Sequence, residues 1–124
     1  MALCETWTHS GITANELVIP GYSLKIRADR TDTDRGKGGG LLVYVKDGVI
    51  AYEDYQPELN AFNQATCLKI MTCNRTIKLY LIYRSPNSQQ ANNLALESVL
   101  NLSDKNAVYV GDFNFPDIDW NNLT

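Results

Sequence analysis

Apolar and polar positions alternate in several short runs along this chain, and recur at helical spacing in one. Residues 22–28 alternate loosely after the turn signal Pro20-Gly21 and predict a strand. Residues 41–45 form an almost continuous apolar run that ends at Lys46-Asp47-Gly48, a second strand. Residues 49–55 predict a further short strand. Thr13 and Glu16 have capping-box spacing, which predicts a helical turn after Thr13. Between the first strands, residues 29–37 are polar and charged and predict an exposed loop, closed by Gly36 and Gly38-Gly39-Gly40.

The clearest pattern lies in the middle of the chain. Residues 65–72 and 76–83 flank Cys73-Asn74-Arg75 and predict a β-hairpin, although its turn lacks the preferred Asn-Gly pair. In the second strand Ile77, Leu79, Leu81 and Tyr83 share one face, and Tyr80 and Ile82 share the other. A strand apolar on both faces belongs in the middle of a layered fold. Arg84-Ser85-Pro86-Asn87 breaks it. Residues 89–102 then predict a helix, with Ala91, Leu94, Ala95, Val99 and Leu102 on its inward face, ended by Ser103-Asp104-Lys105-Asn106. Ala107-Val108-Tyr109-Val110 is a short buried strand, closed by Gly111. Strands with one helix between them predict a layered α/β (α+β) domain.

The length, 124 residues, fits one small domain. With 44% hydrophobic and 20% charged residues it has a globular composition. The formal charge of −3, from 11 basic and 14 acidic side chains, argues against a general binder of nucleic acid by phosphate neutralisation. It leaves room for a metal-dependent nuclease, which needs carboxylates. No apolar run is long enough to span a bilayer, and no secretory signal opens the chain. Cys4, Cys67 and Cys73 form no metal-binding spacing, and one histidine with an odd cysteine count argues against zinc. They read as reduced, partly buried thiols. The N-x-S/T triplets at Asn74, Asn101 and Asn122 read as chance matches.

Candidate chemistry lies in the segment from Gly111 to Trp120. Asp112 and Asn114, two apart at a strand end, are expected to face one side while Phe113 packs on the other. A carboxylate beside a carboxamide can orient and deprotonate a water, or hold a metal-bound phosphate. The same residues can equally form a polar strand-end turn. Asp117 and Asp119 read as turn and surface residues. The glycine run is not a nucleotide loop, because no Gly-Lys-Ser/Thr ending follows at the required gap.

Gly-Asp-Phe-Asn followed by Pro-Asp-Ile-Asp-Trp resembles the closing part of the endonuclease/exonuclease/phosphatase superfamily core, and more narrowly the endonuclease domain of non-LTR retrotransposons. Other segments agree in chain order: Glu5-Thr6-Trp7, Ile19-Pro20-Gly21-Tyr22, the glycine-rich lead from Arg35 into residues 41–46, and Leu81-Ile82-Tyr83-Arg84-Ser85-Pro86-Asn87. The resemblance covers nearly all of the chain. It implies a partial four-layered α/β sandwich of the deoxyribonuclease I-like type over residues 1–124. It implies that Glu5 coordinates magnesium or manganese, that Tyr83 contacts the phosphate or the charge building on it, that Asp112 positions or deprotonates the attacking water, and that Asn114 holds the phosphate. The implied partner is DNA, and the implied setting is intracellular and nuclear.

The chain also departs from that pattern. The family's first strand, with its metal-binding Asn, has no counterpart before Glu5, and no Ser-Asp-His segment follows Gly-Asp-Phe-Asn. His9 has no Ser-Asp before it and does not take that place. The expectation is a fragment with little or no nuclease activity of its own, weak stability and open strand edges. Alternatives are a catalytically inactive relic or binding module on the same scaffold, or a phosphatase of the same superfamily.

Overall fold

The computed structural model describes residues 1–29, 39–62, 64–86, 88–102, 104–115, 117, 119 and 121–122. Most of the predicted loop over 29–37 lies outside the described residues, as do Gly38, Asn87, Ser103, Pro116, Ile118 and Trp120.

The strands are β1 (Ala2–Cys4), β2 (Tyr22–Ala28), β3 (Leu41–Lys46), β4 (Ile50–Glu53), β5 (Ala65–Met71), β6 (Thr76–Tyr83) and β7 (Ala107–Asp112), with one helix, α1 (Gln90–Leu100), before the last. They form a three-stranded sheet in the order β1-β3-β2 and a four-stranded sheet in the order β4-β5-β6-β7. Ile26, Leu41, Val43 and Val45 of the first sheet pack on Ala51, Leu68, Leu81 and Tyr83 of the second, so the sheets lie face to face. On the far side of the second sheet Cys67, Tyr80 and Ile82 meet Ala95, Leu96 and Val99 of α1 and Leu59 and Phe62 of a short 3₁₀ segment. The architecture is mixed α+β, layered as sheet, sheet and helix.

The two faces of β6 explain its sequence. Leu79, Leu81 and Tyr83 fill the core between the sheets, whereas Tyr80 and Ile82 fill the core under the helix. Burying one such aliphatic side chain stabilises by roughly 1.5–3 kcal/mol, so a polar residue on either face is selected against. The hairpin of β5 and β6 is antiparallel, from Ala65 opposite Ile82 to Met71 opposite Thr76. β7 runs parallel to β6, and parallel strands need a crossover, which α1 supplies. Their register ends with Tyr83 beside Asp112. The carboxyl ends of both strands therefore open at one corner.

The turn after Thr13 and the free thiols are as expected, whereas the strand over 49–55 and the inward face of α1 need correction. The strand expected over 49–55 is the shorter Ile50–Glu53. The turn after Thr13 is a 3₁₀ segment, Ala14–Leu17, with the Thr13 backbone N–H donating to Glu16 Oε2 at 2.6 Å. The inward face of α1 is rotated from the predicted one: Leu94 and Ala91 are exposed and Leu96 is buried. Asn93 takes a place on the inward face, its side chain accepting a hydrogen bond from Arg84 Nε at 2.9 Å. Cys73 is exposed, Cys4 half-buried and Cys67 buried, and all are free thiols.

Gly111 does not close β7 but lies within it, opposite Ile82. Its φ is +149°, and a Cβ there would come within 1.7 Å of the Ile82 carbonyl oxygen. Only glycine lets the two backbones approach so closely. Asp112 and Asn114 accordingly do not share a strand face. Asn114 leaves the strand with φ 44°, and its backbone N–H turns back to Asp112 Oδ1 at 3.1 Å.

Candidate active site

β1 ends at Cys4, and the chain turns sharply through Glu5, Thr6 and Trp7. The Trp7 backbone N–H donates to Gly39 O at 2.8 Å, and that of Thr6 to Gly40 O at 3.3 Å. A side chain at Gly40 would crowd this turn, because a Cβ would lie 2.5 Å from Thr6 Oγ1 and 3.3 Å from the Thr8 nitrogen. Gly39 and Gly40 thus form a flat wall against which the Glu5 turn is pinned.

Gln64 ties this turn to the second sheet. Its side-chain Oε1 accepts from Gly40 N at 2.8 Å, and its backbone oxygen accepts from Tyr83 N, also at 2.8 Å. The Tyr83 hydroxyl then donates to Glu5 Oε1 at 2.6 Å. The Tyr83 ring is buried while the Glu5 carboxylate is exposed, so a fixed phenol orients a solvent-facing acid. Burial, first, and the bond to Glu5, second, push the Tyr83 hydroxyl up to about 12, with the charges of Glu5, Asp112 and Cys4 adding to the rise. Burial also raises the Cys4 thiol. The Asp112 backbone hydrogen bond offsets part of this rise, and the charges of Asp112 and Glu5 add to it. Glu5 and Asp112 therefore act on the same two neighbours from either side.

Asn114 closes the corner. Its Nδ2 donates to the Arg84 carbonyl at 2.7 Å, while the Arg84 backbone N–H donates to Asp112 O at 2.8 Å. Glu5, Tyr83, Asp112 and Asn114 are all found at the open end of β6 and β7. Among the described residues the non-glycine residues with left-handed φ are Glu5 (52°), Trp7 (58°) and Asn114 (44°). Such backbone costs on the order of 1–3 kcal/mol per residue and persists where surrounding bonds hold it. All three lie at this corner. No family model, curated protein or solved structure matches the chain.

Among the described residues no three His, Cys, Asp or Glu side chains converge to form a ready metal cage. The donors that do lie here, two exposed carboxylates and a carboxamide, are hard oxygen ligands. That set suits magnesium, which commonly binds through one or two carboxylates and keeps several waters. Asp119 does not belong to the corner. Its Oδ1 accepts from Asn121 N at 2.9 Å and its Oδ2 from the Asn122 amide, a self-contained turn. Asp117 is exposed.

Sequence reasoning assigned no role to Gln64, Cys4 or Arg84. Nothing in the sequence marks Gln64, whose function depends on two backbones brought together by the fold. Arg84 did carry a signal, a cation directly after a strand apolar on both faces.

Proposed function

We propose that this chain is a divalent-metal-dependent phosphodiesterase domain that nicks DNA, of the endonuclease/exonuclease/phosphatase type and closest in its motifs to the endonucleases of non-LTR retrotransposons. In this reading the two face-to-face sheets and the helix layer are part of a four-layered α/β sandwich. The observation that carries the reading is the hydrogen bond between Tyr83 and Glu5, with Asp112 beside Tyr83 in register. Residues 78 positions apart meet, so that a phenol holds one acid close to the strand end that carries the second.

Glu5 is the metal ligand, and a bound magnesium or manganese ion would supply charge compensation for the phosphoryl oxygens. Tyr83 orients the Glu5 carboxylate, since its hydroxyl proton is committed there. Asp112, exposed at the strand end, aligns a water and takes its proton. Asn114 presents its amide to a phosphate oxygen, with the side chain steadied by the Arg84 carbonyl. Turnover by these 124 residues is expected to be slight, as they hold no Ser-Asp-His segment.

Metal binding is therefore the sharper test. Calorimetric titration with Mn2+ should show one saturable site, weakened about tenfold or more in Glu5→Gln. A sensitive plasmid assay should show at most trace nicking, lost in Asp112→Ala. Absence of a saturable Mn2+ site would remove the enzymatic reading in favour of a non-catalytic module.

A further inference from the structure

Arg84 is 7% exposed, the only cation among the buried side chains described. Among the described residues no carboxylate lies within ion-pair distance of it. Its guanidinium is instead spent on neutral oxygens and an aromatic ring. Nε donates to Asn93 Oδ1 at 2.9 Å, and Nη1 donates to Asn114 O at 2.6 Å and to Phe113 O at 3.5 Å. The Cζ atom stands 4.0 Å from the centroid of the Phe115 ring. The backbone of Arg84 binds the same segment twice more, through Asp112 O and Asn114 Nδ2.

Burying a guanidinium without a counter-charge is an expensive way to fill space. An apolar side chain of similar length would pack on Phe115 as well, but it would leave the oxygens of Asn93, Phe113 and Asn114 without this donor. The arginine is therefore there for what it holds. Each of its bonds ends on residues 112–115 or on the helix that braces them. Its side chain points to the helix side of the sheet, on the face of β6 opposite the Tyr83 side chain.

We infer that Arg84 is a positioning residue of the proposed phosphodiesterase site: its buried guanidinium clamps the segment after β7 to α1 and thereby holds Asn114 in its left-handed conformation beside Asp112. The inference rests on the phosphodiesterase reading for its purpose, but the clamp has a readout of its own. Asn114 Nδ2 donates to a carbonyl at the base of the clamp, so its side-chain amide resonances report whether the clamp is closed.

The test uses the full chain, isotope-labelled, with Asn114→Asp to assign those resonances. In Arg84→Met the protein should still fold, with a lowered melting temperature. The Asn114 side-chain signals should move to solvent-like positions and exchange fast, and affinity for Mn2+ should fall by about tenfold. Arg84→Lys, which keeps the charge and donates from a single nitrogen, should recover part of both effects. A folded Arg84→Met with unchanged Asn114 signals overturns the proposal. Should Arg84→Met not fold, Asn93→Ala removes the acceptor of Nε and is read the same way: displaced Asn114 signals support the clamp, unchanged ones overturn it. If the wild-type chain binds no Mn2+, the phosphodiesterase reading falls, and the clamp is judged on the resonances alone.

Discussion

The hydroxyl of Tyr83 donates a 2.6 Å hydrogen bond to the carboxylate of Glu5, joining the end of β6 in one sheet to the turn after β1 in the other. Its pH dependence is specific. The Tyr83 hydroxyl is held up to about 12 against an ordinary value of 10. A group that keeps its proton more tightly when folded contributes stability that is fully present below its unfolded value and is lost as pH rises through the folded one. Wild-type protein should therefore lose stability between pH 10 and 12 by an amount that Tyr83→Phe does not lose. Below that window Tyr83→Phe should be less stable by about 1 kcal/mol. Chemical denaturation of both proteins across the range checks this, and parallel curves would count against it. Tyr80 and Tyr109 are also raised, so only the difference between the two proteins isolates Tyr83.

Gly111→Ala should prevent folding or cost more than about 4 kcal/mol, since its Cβ would lie 1.7 Å from the Ile82 carbonyl oxygen, and backbone cannot yield as a side chain can. Gly40→Ala meets the Thr6 hydroxyl at 2.5 Å and should fold, at a cost of about 1–2 kcal/mol for the left-handed φ of 94°. It should still displace the Glu5 turn and weaken Mn2+ binding. Circular dichroism melts with Mn2+ titration separate these outcomes, and a well-folded Gly111→Ala would contradict the account of β7.

The cysteines should alkylate in the order Cys73, Cys4, Cys67. Cys73 is exposed in the hairpin turn and Cys4 is half-buried, whereas Cys67 is buried and its thiol is pushed up to about 11, first by burial and then by the charge of Asp54. The thiolate is the reactive form, so both access and protonation protect Cys67. Peptide mapping after iodoacetamide treatment at mildly alkaline pH reads the order. Labelling of Cys67 as fast as Cys73 would show that the core under α1 is not closed.

β7 is the last strand of its sheet among the described residues, and Val108 on it is 46% exposed. Free edges with exposed apolar residues template further strand pairing. Val108→Lys should raise the concentration at which the chain stays monomeric, at little cost to its melting temperature. Light scattering over a concentration series is the check, and unchanged aggregation would place the sticky surface elsewhere.

The sequence made the layered core readable because its signal is local. The alternation of Leu79, Leu81 and Tyr83 against Tyr80 and Ile82 reports two buried faces directly, and the hairpin of β5 and β6 follows from two such runs around a short turn. The face of α1 was harder to read. Asn93 looks like a solvent residue until Arg84 is known to be buried against it. Glu5, Tyr83, Asp112 and Asn114 were named as candidates, the first two through the resemblance alone, and the connections between them were not legible. Gln64 holds Gly40 with its side chain and Tyr83 with its backbone, contacts across distant segments that leave no periodic trace. The turn at Asn114 likewise meets Arg84, thirty positions earlier, a contact between distant segments.

The most direct measurement is Mn2+-induced paramagnetic broadening of the amide spectrum. The account predicts that substoichiometric Mn2+ first erases the signals of Glu5, Thr6, Tyr83 and Asp112 to Asn114, and that Glu5→Gln restores them. Broadening centred instead on Asp54 and Asp104, which face Lys69 and Lys78 elsewhere on the second sheet, or spread over all surface carboxylates, would contradict it.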